Sequence, residues 1–456
     1  AAIAYDSRNN SKLFATKAAE VLSANDITVY IFDDIRPTPE LSFAIRELKC
    51  NTGIVITASH NPKEYNGYKA YWDDGAQIIA PHDIAIIDEV TKITSIKEVN
   101  TVKKPELINV IGKEIDEKYL NRVLGLSLNK EINEKYKDIP IVYTPLHGTG
   151  IMLVPQALNM YGFTNIHKVE SQCVPDGNFP TVVSPNPEES SSFELAVKLA
   201  KEVDAKLVLA TDTDADRIGL AVKDNNGEFI LLNGNQTAAI LFYYLIKNRK
   251  SSQLPYYIVK TIVTSDILSD IAKSENIEVY ECLTGFKYIA AIMRENEGKK
   301  QFLVGGEESY GYLCGDFVRD KDAIMSSCLI AEATAWAQEK GLTLYQLLMK
   351  IYDEYKHYSE SMHYEIRKGQ EGAEEIKQIM IDYRENPPKE MEGQKVVEIR
   401  DYLTLKTTDM TTGETKDITG IPKSNVLQFF LSNGTKISVR PSGTEPKIKY
   451  YRSEII

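Results

Sequence analysis

Short apolar runs alternate with longer amphipathic stretches over the first three quarters of the chain. Residues 27–32 and 53–57 are short and rich in β-branched side chains, which is typical of strands, whereas residues 11–22 and 40–48 repeat apolar positions at helical spacing. This alternation predicts βαβ units around a mostly parallel sheet. Strand-like runs start the pattern again near residues 139 and 256. The sequence therefore predicts three α/β units.

The last quarter of the chain has a different pattern. A helix-like stretch at 374–383 is followed by short strand-like runs at 396–402, 426–431 and 436–439. The last two runs are separated by a segment that contains Asn-Gly, a strong hairpin signal. A smaller α+β domain is expected here.

The predicted fold class is α/β, with three α/β domains of mixed, mostly parallel sheets followed by the smaller C-terminal α+β domain. The polar segments 130–138 and 248–254 are interpreted as linkers. The chain opens on a strand-like run and stops just after another, so we expect segments to be missing at both ends. The predicted domains are residues 1–132, 133–252, 253–360 and 361–456.

Composition narrows the classes of protein that fit. Lys and Arg total 53 against 65 Asp and Glu, a formal net charge of −12, which argues against a nucleic-acid partner. The longest apolar runs are well short of the roughly 18 residues of a membrane-spanning helix, and no secretory signal is visible. The five cysteines form no CxxC pair, so we expect reduced, mostly buried thiols in a cytoplasmic protein.

Two loops that follow predicted strands carry reactive groups. Ser59 lies in Thr-Ala-Ser-His-Asn-Pro, and its hydroxyl among small polar neighbours suits phosphoryl transfer, with Lys69 close enough in sequence to assist. Asp212, Asp214 and Asp216 alternate in a tight turn, an arrangement that can converge on Mg²⁺. The alternatives are a polar turn without chemistry at Ser59 and an acidic turn that caps the next element.

Two further loops suit a sugar phosphate. Glu307 and Ser309 lie in a glycine-framed loop after a predicted strand, where carboxylates can hold sugar hydroxyls by charge-assisted hydrogen bonds. Arg440 opens Arg-Pro-Ser-Gly-Thr, whose hydroxyls and backbone N–H groups can form a phosphate cradle. A solvated acidic turn and an ordinary hairpin turn are the corresponding alternatives.

These four loops, in this order, resemble those of the α-D-phosphohexomutase family of phosphoglucomutases and phosphomannomutases, over essentially the whole chain. The resemblance implies four domains around a central cleft, a phosphoserine at Ser59 that also serves as a metal ligand, Mg²⁺ on the three aspartates, and glucose 1,6-bisphosphate as activator and intermediate. The residues to which it assigns roles are, for catalysis, Ser59, His60, Lys69 and Arg217; for the metal, Asp212, Asp214, Asp216 and Ser59; and for the substrate, Thr284, Gly285, Lys287, Glu307, Ser309, Lys321, Arg440, Ser442, Gly443 and Thr444.

The resemblance also implies partners and a preferred substrate. We expect small sugar phosphates, no nucleic acid, no membrane, and a monomer or a dimer. The Glu-Glu-Ser-Tyr loop favours the glucose-specific branch, with pentose or mannose phosphates as alternatives. Outside the mutases, an Mg²⁺-dependent phosphatase with an aspartate nucleophile and a non-catalytic sugar-phosphate-binding regulator stay open. Relatives normally carry a glycine-rich first strand with an arginine, which this sequence does not contain.

Overall fold

The computed structural model describes residues 1–367, 369–442 and 447–456. It contains three mixed α/β sheets and one antiparallel sheet in chain order, which confirms the predicted fold class. In the described part of the chain, every helix is too short or too polar to span a bilayer.

The first sheet has the strand order β4-β3-β1-β2-β5, in which only β4 is antiparallel to its neighbour. Its central strand is fully buried, as a strand covered on both faces requires. The elements of this region are β1 Ala2–Tyr5, α1 Ser11–Ala24, β2 Val29–Phe32, α2 Thr38–Glu47, β3 Thr52–Ile56, β4 Tyr68–Trp72, α3 His82–Lys92, β5 Ile108–Ile111, α4 Lys113–Leu124 and α5 Lys130–Lys135.

The second and third sheets have the orders β10-β9-β8-β6-β7 and β12-β11-β13-β14. The antiparallel pairs are β8 with β9 and β9 with β10 in the second sheet, and β13 with β14 in the third. In the second region the elements are β6 Ile141–Thr144, α6 Val154–Met160, β7 Ile166–Lys168, α7 Glu194–Glu202, β8 Leu207–Thr211, β9 Ile218–Lys223, β10 Phe229–Leu232 and α8 Gly234–Asn248. In the third they are β11 Tyr256–Thr261, α9 Ile267–Ser274, β12 Glu278–Cys282, α10 Phe286–Asn296, β13 Gln301–Gly306, β14 Tyr312–Cys314, α11 Ala323–Glu339 and α12 Leu344–Glu354.

The fourth sheet is antiparallel throughout, in the order β15-β22-β21-β20-β17-β18-β19, with β16 paired to β17. The predicted Asn-Gly hairpin joins β20 to β21, and Gly434 takes a φ of 87° in the turn. The elements are β15 Tyr358–Ile366, α13 Gly369–Glu385, β16 Glu390–Met391, β17 Gln394–Asp401, β18 Lys406–Asp409, β19 Thr415–Asp417, β20 Leu427–Leu431, β21 Lys436–Pro441 and β22 Lys447–Ile455.

One predicted linker contains a helix. Residues 130–138, interpreted as a linker, lie between α4 and β6, but α5 forms there and packs against α11. Ile132 faces the core and Asn133 is buried, its side-chain amide donating to Glu332 at 2.7 Å. The charged residues around them face solvent, so a short amphipathic helix resembles a polar linker in sequence. The other predicted linker, 248–254, does connect α8 to β11.

Helix α11 lies at the centre of the molecule. Its residues from Ala323 to Ala337 are all buried, and it contacts α5, α6 and α8 as well as its own region. The large hydrophobic core that surrounds it is shared by the first three regions. The cysteines are free thiols, four of them buried, as expected from the sequence.

Candidate active site

The site loops occupy equivalent places in the three α/β sheets. In each sheet a parallel strand (β3, β8 or β13) ends in a loop, and the chain returns as an antiparallel strand beside it (β4, β9 or β14). These two strands and the next two in each sheet have the same order. The loops that carry Ser59, Asp212 and Glu307 follow these three strands. Open α/β sheets bind ligands at this carboxyl edge. The repeated topology therefore turns three similar edges toward one cleft.

Ser59 is held in a strained backbone conformation. Its φ is 51°, in the left-handed region, which costs a residue other than glycine about 1 kcal/mol or more. The Ser59 N–H donates to Thr57 Oγ1 at 2.8 Å. The Ser59 hydroxyl donates to Asp212 Oδ2 at 2.7 Å, although 153 residues separate the two in sequence. The structure thus brings the first two predicted loops into direct contact.

The three aspartates form a buried cluster. Asp212, Asp214 and Asp216 each offer a carboxylate oxygen, and these oxygens lie within 4.8 Å of one another. Among the described residues, Asp214 Oδ1 and Asp216 Oδ1 find no hydrogen-bond partner. Burial and the charge of Asp214 raise the pKa of both Asp212 and Asp216. Convergent, unpartnered carboxylate oxygens fit a hard divalent cation, so this cluster could bind a metal ion.

Two lysines flank the aspartate cluster. Lys69 Nζ lies 2.9 Å from Asp214 Oδ2, and Lys321 Nζ lies 3.0 Å from Asp216 Oδ2. Burial alone would lower the pKa of Lys69, but Asp214 and Asp216 raise it above its ordinary value, so the ammonium holds its proton. Burial opposes the charge of Lys321 as well, and Asp216 and Asp320 again raise its pKa.

His60 lies beside Ser59, and the Arg217 N–H donates to Asp212 Oδ1 at 3.1 Å. His60 Nδ1 is 3.3 Å from Ser59 Oγ, and burial, with the charge of Arg217, lowers the pKa of His60 well below its usual value. The imidazole is therefore neutral near pH 7. Arg217 is anchored by an ion pair with Glu188 at 2.5 Å, and it also lines the cleft.

The predicted sugar-binding residues meet at the third sheet. Glu307 Oε1 accepts a hydrogen bond from Gly285 N–H at 2.7 Å, which joins the loop after β13 to the turn before α10. Gly285 has a φ of 120°, a conformation that side chains rarely allow. Thr284, Lys287 and Ser309 line the same cleft.

The fourth sheet supplies a basic wall. Arg440 lies near the end of β21, and Ser442, Lys447 and Lys449 line the cleft beside it. Burial, with the neighbouring charge of Lys447, lowers the pKa of Lys449. Gly443 and Thr444, which the sequence also places in the phosphate cradle, lie outside the described residues.

A single cleft of about 1740 Å³ collects these groups. It exceeds the roughly 300–1,000 Å³ of ordinary small-molecule pockets. Residues from all four sheets line it, which agrees with the central cleft that the resemblance implied. Asp212 and Asp214 are buried and contact Ser59 and Lys69, respectively. Within the described residues, the predicted site residues that line the cleft are Ser59, His60, Lys69, Asp216, Arg217, Thr284, Gly285, Lys287, Glu307, Ser309, Lys321, Arg440 and Ser442.

Sequence reasoning missed several residues that support the site. Thr38 Oγ1 donates to Asp214 Oδ2 at 2.8 Å from the start of α2, and Glu188 anchors Arg217. Asp320 accepts hydrogen bonds from Tyr71 and Gln77 and lies 3.2 Å from Lys321 Nζ. The sequence pointed only to Asp320, which precedes the predicted residue Lys321. Thr38 and Glu188 are brought to the site by tertiary contacts, so no local pattern indicates them.

Comparison with known proteins defines the class. Residues 1–97, 117–227 and 233–355 match the family models described as phosphoglucomutase/phosphomannomutase alpha/beta/alpha domains I, II and III, respectively. These segments contain all strands of the three α/β sheets except β5 and β10.

Curated relatives cover almost the whole chain. A phosphoglucomutase of Staphylococcus epidermidis is 39% identical over 456 residues, which covers 99% of this chain and 82% of the relative. A phosphoglucomutase of Staphylococcus haemolyticus is 38% identical over 462 residues, with coverage of 99% and 82%. The chain belongs to the phosphoglucomutase/phosphomannomutase family, and the predicted resemblance is confirmed.

Solved structures share the fold. Parafusin from Paramecium, a phosphoglucomutase in its open form, is 19% identical and gives a TM-score of 0.73, covering 100% of this chain and 83% of that one. A phosphoglucomutase/phosphomannomutase family protein from Burkholderia thailandensis is 18% identical with a TM-score of 0.68, covering 100% and 85%. These similarities support the four-region architecture alone.

Proposed function

We propose that this chain is a phosphoglucomutase, an intramolecular phosphotransferase of the isomerase class that interconverts glucose 1-phosphate and glucose 6-phosphate. The observation that carries the proposal is the contact between the Ser59 hydroxyl and Asp212 at 2.7 Å, in a cleft that also holds the sugar-binding and basic residues. Relatives 39% identical over nearly the whole chain bear the name phosphoglucomutase, which supports the same activity.

In this proposal Ser59 carries the phosphoryl group. The phosphorylated Ser59 gives its phosphoryl group to the free hydroxyl of a hexose monophosphate, and the resulting glucose 1,6-bisphosphate returns its other phosphoryl group to Ser59. Lys69 holds a proton because Asp214 and Asp216 raise its pKa, and it supplies that proton to Ser59 Oγ as the phosphoryl group leaves. The proton that the attacking sugar hydroxyl releases restores the Lys69 ammonium, so the transfer has no net change in protons. Neutral His60 and the anchored Arg217 orient the seryl oxygen and its phosphoryl group.

Asp212, Asp214 and Asp216 would hold Mg²⁺ together with the phosphate on Ser59. A bound Mg²⁺ supplies charge neutralisation at the transferring phosphoryl group. Thr38 and Lys69 each bind Asp214 Oδ2, which fixes the direction of that carboxylate.

The remaining residues bind substrate. We assign Glu307 and Ser309 to the sugar hydroxyls, with Lys321 facing the sugar. The size of the cleft suits a bisphosphate that must turn over between the two half-reactions. The other proposed contacts are Thr284, Gly285 and Lys287 for substrate orientation, and Arg440, Ser442, Gly443 and Thr444 for the non-reacting phosphate.

Rates on three substrates test the proposed specificity. With Mg²⁺ and the matching sugar bisphosphate present, we expect glucose 1-phosphate to give a higher kcat/KM than mannose 1-phosphate or ribose 1-phosphate. Ser59→Ala serves as the matched control, since any rate that it retains does not arise from the proposed seryl carrier. A higher kcat/KM on mannose 1-phosphate or ribose 1-phosphate would contradict the assignment of glucose 1-phosphate as the preferred substrate.

The domain limits at residues 132, 252 and 360 stay predictions. Each of the first three sheets lies within one predicted range, whereas β15 crosses the limit at 360. Sugar phosphates as partners are supported by the names of the relatives. The cytoplasmic location and the monomeric or dimeric state remain predictions from sequence.

A further inference from the structure

Arg8 lies under the loop that carries Ser59, in a place that the proposed chemistry does not use. It follows β1 by three residues, and its side chain is fully buried. Asp6 supplies the opposite charge, with its Oδ2 3.4 Å from Arg8 Nε, and Ser11 Oγ donates to Asp6 Oδ1 at 2.6 Å.

The Arg8 guanidinium binds four backbone carbonyl oxygens of a single loop. Its Nη1 donates to Pro62 O at 2.9 Å and to Tyr65 O at 3.0 Å. Its Nη2 donates to Ser59 O at 2.5 Å and also to Asn61 O. The N–H groups of both terminal nitrogens are therefore committed to residues 59–65.

This loop has little packing of its own. All residues from Asn61 to Tyr65 are exposed, and the Tyr65 side chain is 60% accessible. Ser59 nevertheless takes a left-handed backbone conformation, which persists only where the surroundings determine it. The Arg8 bond to Ser59 O and the Thr57 bond to Ser59 N–H lie on the two sides of that residue.

The same arginine touches the second α/β region. Its guanidinium carbon lies 5.1 Å from the centre of the Phe179 ring, and Phe179 is buried. The neighbouring Asn9 donates to Asn178 Oδ1 at 3.1 Å. Arg8 therefore joins the Ser59 loop to the region whose aspartates Ser59 contacts.

We propose that Arg8 is a positioning residue that sets the direction of the Ser59 hydroxyl by holding the carbonyl oxygens of residues 59–65 inward. The inference rests on the proposed function, because the hydroxyl matters only if it carries the phosphoryl group. Lysine is a poor substitute, since its donors spread from one point and cannot reproduce a planar fork with four separated acceptors.

Arg8→Lys is the test variant and Arg384→Lys the matched control. Arg384 forms a partly buried ion pair with Asp401 at 3.1 Å in the fourth region, and it does not line the cleft. Two readouts are compared: hydrogen–deuterium exchange of peptides that cover residues 57–67, and kcat and KM for glucose 1-phosphate with Mg²⁺ and glucose 1,6-bisphosphate.

We expect Arg8→Lys to speed exchange selectively in residues 57–67 and to lower kcat about 100-fold, the scale of a misplaced reacting group. KM should not change, because the sugar and phosphate contacts come from the third and fourth sheets. Arg384→Lys should alter neither readout. Normal loop exchange in Arg8→Lys, or faster exchange spread evenly over the molecule, would overturn the positioning role.

The two readouts separate this inference from the proposed function. Wild-type protein without mutase activity would defeat the proposed function, whereas loop exchange would still show whether Arg8 holds the loop. An active wild type with normal kcat in Arg8→Lys would defeat the Arg8 role alone. If Arg8→Lys does not fold, Asp6→Asn replaces it, with smaller changes expected in the same direction and normal loop exchange counting against the role.

Discussion

At the scale of single residues, the site is built from polar side chains that are far apart in the chain and close in space. The Ser59 hydroxyl contacts Asp212, because each residue follows the end of a strand, and Lys69, near the start of β4, contacts Asp214. These contacts are specific enough for single substitutions to separate metal binding, substrate binding and positioning.

Replacement of Asp214 by alanine tests the metal cluster. Asp214→Ala removes one of three converging carboxylates, so we expect Mg²⁺ binding to be lost and kcat to fall about 100-fold or more. Calorimetric titration with Mg²⁺ and activity at increasing Mg²⁺ concentration measure the two effects. Asp88→Ala, on the exposed helix α3, is the control. Activity that keeps its Mg²⁺ dependence in Asp214→Ala would place the metal elsewhere.

Replacement of Arg440 by alanine tests the proposed binding of the substrate's non-reacting phosphate. Loss of a charge-assisted hydrogen bond to a phosphate costs about 1.5–3 kcal/mol, so KM should rise roughly 10- to 100-fold while kcat changes less. Steady-state kinetics on glucose 1-phosphate give both constants. An unchanged KM would remove Arg440 from the phosphate-binding set.

Most individual site residues could be predicted, and the exceptions share a physical reason. Ser59, the aspartates and Glu307 lie in dense polar loops directly after strands, which the sequence shows. Arg8 contacts a residue 51 positions away in sequence, and Thr38 contacts one 176 positions away. A single arginine or threonine next to a strand or helix gives no local pattern from which such a contact could be predicted.

At the scale of elements, one buried carboxyl group stabilises the start of the central helix α11. Asp322 caps this helix by accepting a hydrogen bond from Met325 N–H at 2.9 Å, and it accepts another from the Tyr119 hydroxyl at 2.7 Å. Burial raises the pKa of Asp322 from 3.8 to about 6, despite these hydrogen bonds.

This raised pKa predicts a dependence of stability on pH. Between about pH 4 and pH 6 the folded protein keeps a proton on Asp322 that the unfolded chain has released, so the free energy of unfolding falls as pH rises through this window. Asp322→Asn removes this contribution. The stability of Asp322→Asn relative to wild type should therefore increase by about 3 kcal/mol from the lower to the upper end of the window.

Urea unfolding of both proteins across this pH range measures the difference, with Asp88→Asn as an exposed control. A difference between Asp322→Asn and wild type that does not change with pH would contradict the assignment.

Elements were predicted best where apolar periodicity was clear. The buried strands and the long amphipathic helices have unambiguous patterns. Helix α5 carries a single core-facing isoleucine among charged residues, so the sequence indicated a linker there and not the helix. The strand order that four strands of each α/β sheet share could not be predicted, because their sequences have no evident repeat and pairing depends on long-range contacts.

At the scale of the whole molecule, a partly buried ionic contact joins the fourth region to the third. Lys436 Nζ on β21 lies 2.7 Å from Asp266 Oδ2, and Asp266 Oδ1 also binds Lys260 at 2.8 Å. Gln428 adds a hydrogen bond to Ile262 O at 2.8 Å. Since β21 also carries Arg440, this contact positions the proposed phosphate-binding residues relative to the proposed sugar-binding loop.

Lys436→Met should loosen that contact without removing any proposed substrate ligand. We expect KM for glucose 1-phosphate to rise severalfold with a smaller change in kcat, and small-angle scattering to show a larger radius of gyration. Lys395→Met, an exposed lysine on β17, is the control. Unchanged KM and radius in Lys436→Met would show that the ionic contact does not hold the fourth region in place.

The phosphorylation of one side chain tests the central claim most directly. The protein and its Ser59→Ala variant are incubated with glucose 1,6-bisphosphate and Mg²⁺, and intact mass and peptide mass spectra are recorded. Wild type should gain the mass of one phosphoryl group, located on Ser59, and Ser59→Ala should gain none. Phosphate on Asp212, or equal labelling of the two proteins, would contradict the account.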